Sequence, residues 1–388
     1  MVLCASLFSQ LVALFNKTQF YHLVKKHRAE RYSKGYSSWD HFVAMLFCQL
    51  AQAKSLREIC GGLACTMGKL KHLGMNEPPK KSTLSYANAH RPWQMFRDLF
   101  YETVSVCKMA APKNLKFRFR NKLLSLDATT IALCLTLFPW AEFRRTKGAV
   151  KLHLLLDHDG YFPVYAYIAN GKKHEVTVAR KIPLPPGSII TMDKGYNDYK
   201  IYGSWTEEGI FFVTRMKDNA DYTVVEEKLI PITGNVLRDQ VIQFNGFYAQ
   251  KNCPYPLRSV VVWDSDNERE IVLLTNHLKF GANTVSAIYK DRWRIENFFK
   301  ALKQNLKVKT FVGTSENALH IQIWTALIAM LILRFLQLRS QFNWSLSNLV
   351  ALLRMNLFTH RDLWAWLNQP FDVLPAPYDP EQLRLALA

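Results

Sequence analysis

The stretch that decides the fold is KLLSLDATTIALCL, residues 122–135. It alternates, and it is rich in leucine, isoleucine and threonine, which suits a strand. AVKLHLLLDHDGYFPVYAYIANG (149–171) carries strand patterning on both sides of Asp159-Gly160, a hairpin-turn dipeptide. SIITMDKGY (188–196) is the next apolar run. DYKIYGSWTEEG (198–209) then changes to helical spacing, and IFFVTRMK (210–217) changes back to strand. Beyond it, YTVVEEK, QVIQFNG, LRSVVVWD and EIVLLTN suggest more strands as far as residue 277.

Upstream, residues 1–107 read as helices separated by turns. SSWDHFVAMLFCQLAQA (37–53) opens on serines and runs with helical apolar spacing. SLREICGGL (55–63) has Ser55 and Glu58 at capping-box spacing and Gly61-Gly62 near its expected stop. After the loop LGMNEPPKK (73–81), STLSYANAHRPWQMFRDLF (82–100) reads as one further helix. Helix, turn and a polar helix started by lysines fit a helix-turn-helix reader of DNA. Lys80, Lys81, Ser82, Thr83, Ser85, Asn88, His90 and Arg91 would then be donors to phosphates and base edges. A helical bundle with a solvated polar face fits this segment equally well. KMAAPKNLKFRFRNK (108–122) has no acidic residue and carries Lys108, Lys113, Lys116, Arg118, Arg120 and Lys122. It reads as a linker suited to backbone phosphates, or as an edge strand guarded by charge.

Helical spacing returns at about residue 283 and persists to near 369, before a proline-punctuated tail expected to be peripheral. Three strands followed by alternating helix and strand are the pattern of an RNase H-like core. The expected fold is therefore α/β: an RNase H-like catalytic core with a β-rich insertion, preceded by an all-helical N-terminal DNA-binding domain. The expected division is 1–107 for the basic helical head, 108–121 for a basic linker, 122–340 for the core with its insertion at about 217–277, and 341–388 for a C-terminal helical region.

Composition narrows the function classes. A 388-residue chain that is 49% hydrophobic and 21% charged has ample material for a core, which excludes disorder over most of its length. Fifty Lys and Arg against 31 Asp and Glu leave +19, and 19 basic against 6 acidic residues lie within the first 120. So uneven a surplus points to a polyanion, nucleic acid ahead of an anionic membrane surface. Seven cysteines with no CxxC pair, mostly in apolar company, read as reduced thiols of a cytoplasmic protein and speak against a zinc site. The apolar run IWTALIAMLIL (323–333) has 11 residues, short of the roughly 20 that span a bilayer, and reads as a buried core helix. MVLCASLFSQLVALF (1–15) lacks a basic leader and reads as an amphipathic first helix. No membrane partner is expected.

Two apolar runs end on an aspartate, Asp127 in LLSLDATT and Asp193 in SIITMDKGYND. Each alone could be a turn or capping residue. In IYKDRWRIENFFKALKQNLKV (288–308), read as one helix at about 100° per residue, Tyr289, Arg292, Glu296 and Lys303 fall within roughly 60° of arc. Ile288, Ile295, Phe299, Leu302 and Leu306 form an apolar stripe directly beside them. A polar line at the edge of a buried face is where a cleft would lie. Carboxylates from Asp127, Asp193 and Glu296 would make a hard oxygen site for Mg²⁺ or Mn²⁺. Two such ions about 4 Å apart suit phosphodiester chemistry, with Arg292 and Lys303 holding phosphate.

The spacing Tyr289-x2-Arg292-x3-Glu296-x6-Lys303 resembles the YREK signature of bacterial insertion-sequence DDE transposases. DATTIAL and DKGY resemble the segments around that family's first two catalytic aspartates, and RYSKGYSSWDHFVAMLFCQLAQAKSLREICGGL resembles the helical region of one subgroup. The resemblance implies Asp127, Asp193 and Glu296 as catalytic metal ligands for two Mg²⁺ or Mn²⁺ ions. It implies Tyr289, Arg292 and Lys303 at the DNA near the cleaved phosphate. It further implies double-stranded DNA partners, at the element ends and the target, and a dimer or higher assembly on them. Lys194 follows Asp193 where the family often has arginine; either supplies a cation. GKKHE (171–175) looks familiar but receives no role. Two rivals remain: an element-derived repressor that binds ends without cutting, and an RNase H-like nuclease that cuts without joining.

Overall fold

The computed structural model describes residues 5–31, 33, 35–66, 69–110, 116–144, 147–172 and 174–372. Cys4, Lys113 and Lys173 lie outside the described residues, as does the tail from 373 onward.

Among the described residues six helices come first: α1 (Leu7–Ala13), α2 (Lys17–Lys26), α3 (Ser38–Leu50), α4 (Leu56–Ala64), α5 (Lys81–His90) and α6 (Gln94–Ala110). Side-chain oxygens of Ser6, Asn16, Ser37 and Ser55 accept from first-turn N–H groups and start the first four. At α3 the capping box of Ser37 and Asp40 is complete. At α4 Glu58 reaches the N–H of Lys54 instead of that of Ser55. Three local expectations are corrected here. α4 runs through Gly61-Gly62 to Ala64, and Gly62 is needed for room, since a Cβ there would lie 2.7 Å from the Phe47 ring. Segment 82–100 divides into two helices because Pro92 holds Arg91 in extended backbone. Residues 65–80, with a 3₁₀ turn at Lys69–Leu73, join α4 to α5, where a helix-turn-helix uses three or four residues.

The middle of the chain builds one sheet. In order come β1 (Leu123–Leu133), β2 (Glu142–Arg144), β3 (Lys147–Asp157), β4 (Phe162–Asn170), α7 (Glu175–Ala179), β5 (Ile189–Met192), α8 (Tyr199–Glu207), β6 (Phe211–Arg215), β7 (Tyr222–Glu227), β8 (Val236–Phe244), α9 (Phe247–Asn252), β9 (Leu257–Asp264) and β10 (Arg269–Thr275). The sheet runs β3-β1-β5-β6-β10-β9-β8-β7, with β2 and β4 both pairing β3. β1–β5 and β5–β6 are parallel; the other pairs are antiparallel. The expected hairpin joins β3 to β4, with Gly160 at φ +82° and Tyr161 at φ +56° supplying the left-handed turn. The expected insertion contributes β7–β10, and β10 docks them on β6.

The chain closes with α10 (Ala282–Asp291), α11 (Trp293–Asn305), α12 (Glu316–Arg339), α13 (Leu346–Met355) and α14 (Leu363–Asn368). The single helix expected over 288–308 is two, broken at Arg292. Hydrogen bonds of i→i−3 type, from Arg292 N–H to Tyr289 O and from Ile295 N–H to Arg292 O, tighten the junction. α12 is long and apolar enough by composition to cross a membrane, but 89% of its apolar window is buried inside the protein. It is the central core helix: Trp324 and Leu327 pack in one cluster with Phe42 of α3, Phe96 of α6 and Leu152 and Leu154 of β3. Period-two alternation divides β1 between faces. Leu124 and Leu126 pack with Ile201 and Trp205 of α8, whereas Leu123 packs with Val285 and Ile288 of α10.

Candidate active site

The parallel ladder of β1 and β5 ends at Leu126 opposite Met192, so the next residues are Asp127 and Asp193. Asp193 stays extended at φ −79° and ψ 164° before the chain enters a 3₁₀ turn, Lys194–Tyr196. Neighbouring strands lie about 4.8 Å apart, so the register sets the two aspartates side by side where β1 loses its parallel partner β5 while still paired with β3. Asp127 is therefore not at the end of its own strand, since β1 continues to Leu133; the end belongs to β5. Alternation turns both aspartates away from α8, toward α10 and α11.

The third carboxylate arrives from the helix junction. Arg292 is 8% exposed, and its Nη2 donates to Glu296 Oε1 at 2.7 Å while its Nη1 stands 3.9 Å from Asp127 Oδ2. One planar guanidinium thus lies between the strand carboxylate and the helix carboxylate. Asp127 Oδ1 also accepts from the Ala128 N–H at 2.7 Å. Burial pushes the Asp127 carboxyl up to about 6; the Ala128 N–H and Arg292 oppose this, and the charges of Glu296 and Asp193 add to it.

Tyr289 lies under the Arg292 guanidinium, 5.4 Å from ring centre to Cζ. Burial raises its phenol, as does the charge of Asp193, while Arg292 works against them. Lys303 Nζ donates to Thr130 O at 3.1 Å, three residues along β1 from Asp127. Burial lowers the Lys303 ammonium, and Lys309 adds to that effect. Arg292 thus joins Asp127 to Glu296, Tyr289 packs on Arg292 and Lys303 reaches β1 at Thr130, while the register of the ladder sets Asp193 beside Asp127.

The head residues do not join them as one set. Lys80 and Lys81 are exposed at the start of α5. Arg91 is 7% exposed and spends its guanidinium on the carbonyls of Ser37 and Tyr36. Asn88 is likewise buried, accepting from His41. Between 116 and 122 Arg118 and Arg120 are exposed, Lys116 pairs with the buried Asp291, and Phe117 and Phe119 pack inward, stacked on each other with Phe119 on Phe280.

Two residues enter the neighbourhood without having been singled out. Tyr196 is 2% exposed, and after burial its phenol is raised by Asp127, Glu175 and Asp193. Glu175 starts α7 and pairs with Lys151 at 2.9 Å. Both lay within noted motifs, DKGY and GKKHE, but no local pattern reveals convergence across strands.

The donor set is hard oxygen, and its clustered negative charge fits a divalent cation. Among the described residues no three side chains stand as a ready metal cage. The cation that Asp127 and Glu296 share here is Arg292.

Residues 118–332 match the family described as Transposase DDE domain, and residues 4–76 match a domain of unknown function (DUF4372). A putative transposase, y4zB of Sinorhizobium fredii, is 30% identical over 328 residues, covering 83% of this chain and 90% of that protein. A probable transposase for insertion sequence element IS5377 of Geobacillus stearothermophilus is 29% identical over 269 residues, covering 69% and 70%. A solved synaptic complex of piggyBac transposase with hairpin DNA is 12% identical at a TM-score of 0.46, covering 91% of this chain and 79% of that one.

Proposed function

The chain belongs to the transposase DDE-domain family and is a transposase of the insertion-element type, and from that premise we propose that it binds the terminal inverted repeats of its element, cleaves them and joins them to target DNA. Asp127, Asp193 and Glu296 are its acid cluster, in an RNase H-like core of the YREK subgroup. The observation that carries this reading is the shared guanidinium, which draws the Glu296 helix to Asp127 while the β1–β5 ladder brings Asp193 alongside.

The three carboxylates would hold Mg²⁺ or Mn²⁺. When bound, such ions supply Lewis-acid stabilisation at phosphorus and a lowered pKa for the attacking water or 3′-hydroxyl. The protein's own residues bind and orient the DNA. Arg292 is shared between Asp127 and Glu296 and its Nε is buried without a hydrogen-bond partner, so the guanidinium would have to turn outward to offer a donor to a phosphate oxygen. Lys303 adds a positive charge three residues along β1, and the Tyr289 ring backs Arg292 against displacement. The outward cations Arg118 and Arg120, with Lys80 and Lys81, extend the contact along the duplex as a dimer or higher assembly closes on it. Arg91 and Asn88 are left out of this surface because both are buried inside the head. The division at 107, 121 and 340 is part of the same proposal, and the core shared by α3, α6 and α12 supports a head fixed to the sheet.

The test is incubation of the purified protein with Mg²⁺, element-end DNA and a target plasmid. Joined product is expected. Nicks without joining would make it a nuclease, and tight binding without reaction a repressor.

A further inference from the structure

The turn between β3 and β4 carries a buried chain of hydrogen bonds that the proposed chemistry does not use. The His158 N–H donates to Leu123 O at 3.1 Å, fastening the turn to the start of β1. The His158 ring then bridges two elements: Nε2 is 2.6 Å from Ser125 Oγ, and Nδ1 is 2.6 Å from Asp291 Oδ2. Ser125, His158 and Asp291 are 0%, 8% and 3% exposed. Asp291 also takes Lys116 Nζ at 2.5 Å and the Tyr161 hydroxyl at 3.2 Å. The turn is also held by Arg334 of α12, which donates to Gly160 O at 3.0 Å.

Serine, histidine and aspartate in this order have the connectivity of a nucleophilic triad. That use is excluded, because Ser125 has no exposed surface from which to attack a substrate. The position of each member suggests another use. Ser125 is two residues before Asp127 on the same face of β1. Asp291 ends α10 and immediately precedes Arg292, where the helix breaks. A carboxylate at a helix C-terminus opposes the macrodipole, and a buried one is costly unless it is bonded. Burial raises the Asp291 carboxyl, but the bonds from His158 and Lys116 outweigh it and hold the group well below the usual range. A charge tied down so heavily at a helix break fixes the direction of the helix that follows.

We propose that Ser125, His158 and Asp291 form a positioning relay that sets the α10–α11 junction against β1 and so determines whether Arg292 and Glu296 meet Asp127. The proposal rests on the reading of Asp127, Asp193 and Glu296 as the acid cluster. Loss of the relay lets the Glu296 carboxylate drift from the strand carboxylates, weakening their joint hold on a divalent ion without removing any ligand.

The experiment is calorimetric titration of the full-length protein with Mn²⁺ alone, with thermal unfolding measured on the same samples. Asp127→Asn reports on the acid cluster itself. His158→Leu breaks both bonds of the relay, and His158→Asn retains an amide donor for Asp291. The expected result is about tenfold weaker Mn²⁺ binding in His158→Leu, the scale on which groups that orient metal ligands act, with binding restored to within about threefold in His158→Asn. Should His158→Leu not fold, Ser125→Ala, which removes one oxygen, is judged by the same weakening. Wild-type Mn²⁺ affinity in the folded relay variants, with or without a lower melting temperature, overturns the relay while leaving the acid cluster standing. Wild-type affinity in Asp127→Asn overturns the acid cluster, and the relay with it.

Discussion

Asp127 is held against its own preference. Its carboxyl is pushed up to about 6, first by burial, with Glu296 and Asp193 adding to the rise. Between about pH 4 and 6 the folded protein holds a proton that the unfolded chain releases, so stability falls as pH rises through that window and the penalty is complete above it. In the metal-free protein, Asp127→Asn is therefore expected to stabilise the fold at pH 7 by on the order of 2 kcal/mol and to change little at pH 4. Urea unfolding at the two pH values checks this; equal effects at both would refute it. Asp127 and Asp193 were legible because an acid after an apolar run is conspicuous within a few residues. Arg91 was not, because its partners, the carbonyls of Ser37 and Tyr36, lie far away in sequence and leave no local mark.

The elements show the same boundary between local and distant causes. The strand runs, the helix over 199–207 and the β3–β4 hairpin follow from period and turn residues that sit together. The break at Arg292 escaped the sequence because Arg292 keeps helical dihedrals, φ −51° and ψ −34°, so the side-chain period passes through it almost undisturbed. That is also why Tyr289, Arg292, Glu296 and Lys303 still meet although they belong to two helices. Gly203 inside α8 is a second case. A Cβ there would lie 2.0 Å from the carbonyl oxygen of Asn252, at the end of α9, which is backbone and cannot turn aside. Gly203→Ala should lower the melting temperature despite the roughly 1 kcal/mol that alanine gains over glycine in a helix. A variant as stable as wild type would mean that α8 and α9 are not packed this closely.

At the scale of the molecule, α12 joins what the sequence had suggested as separate regions. Its apolar side chains are shared among the N-terminal helices, the sheet and α13, so the head and the acid cluster are set in one continuous core. The sequence disclosed the basic surplus of the first 120 residues and the apolar character of α12, but not their union, because a helix buried on every side carries no periodic face to indicate its neighbours. Three carboxylates from distant parts of the chain are proposed to act together on a phosphodiester. The direct measurement is the Mg²⁺-dependent cleavage rate of element-end DNA by the wild type, Asp127→Asn, Asp193→Asn and Glu296→Gln, with end binding measured on the same preparations. Each substitution should slow cleavage by at least about a hundredfold while binding stays within about twofold. Cleavage at the wild-type rate by any of the three variants would contradict it.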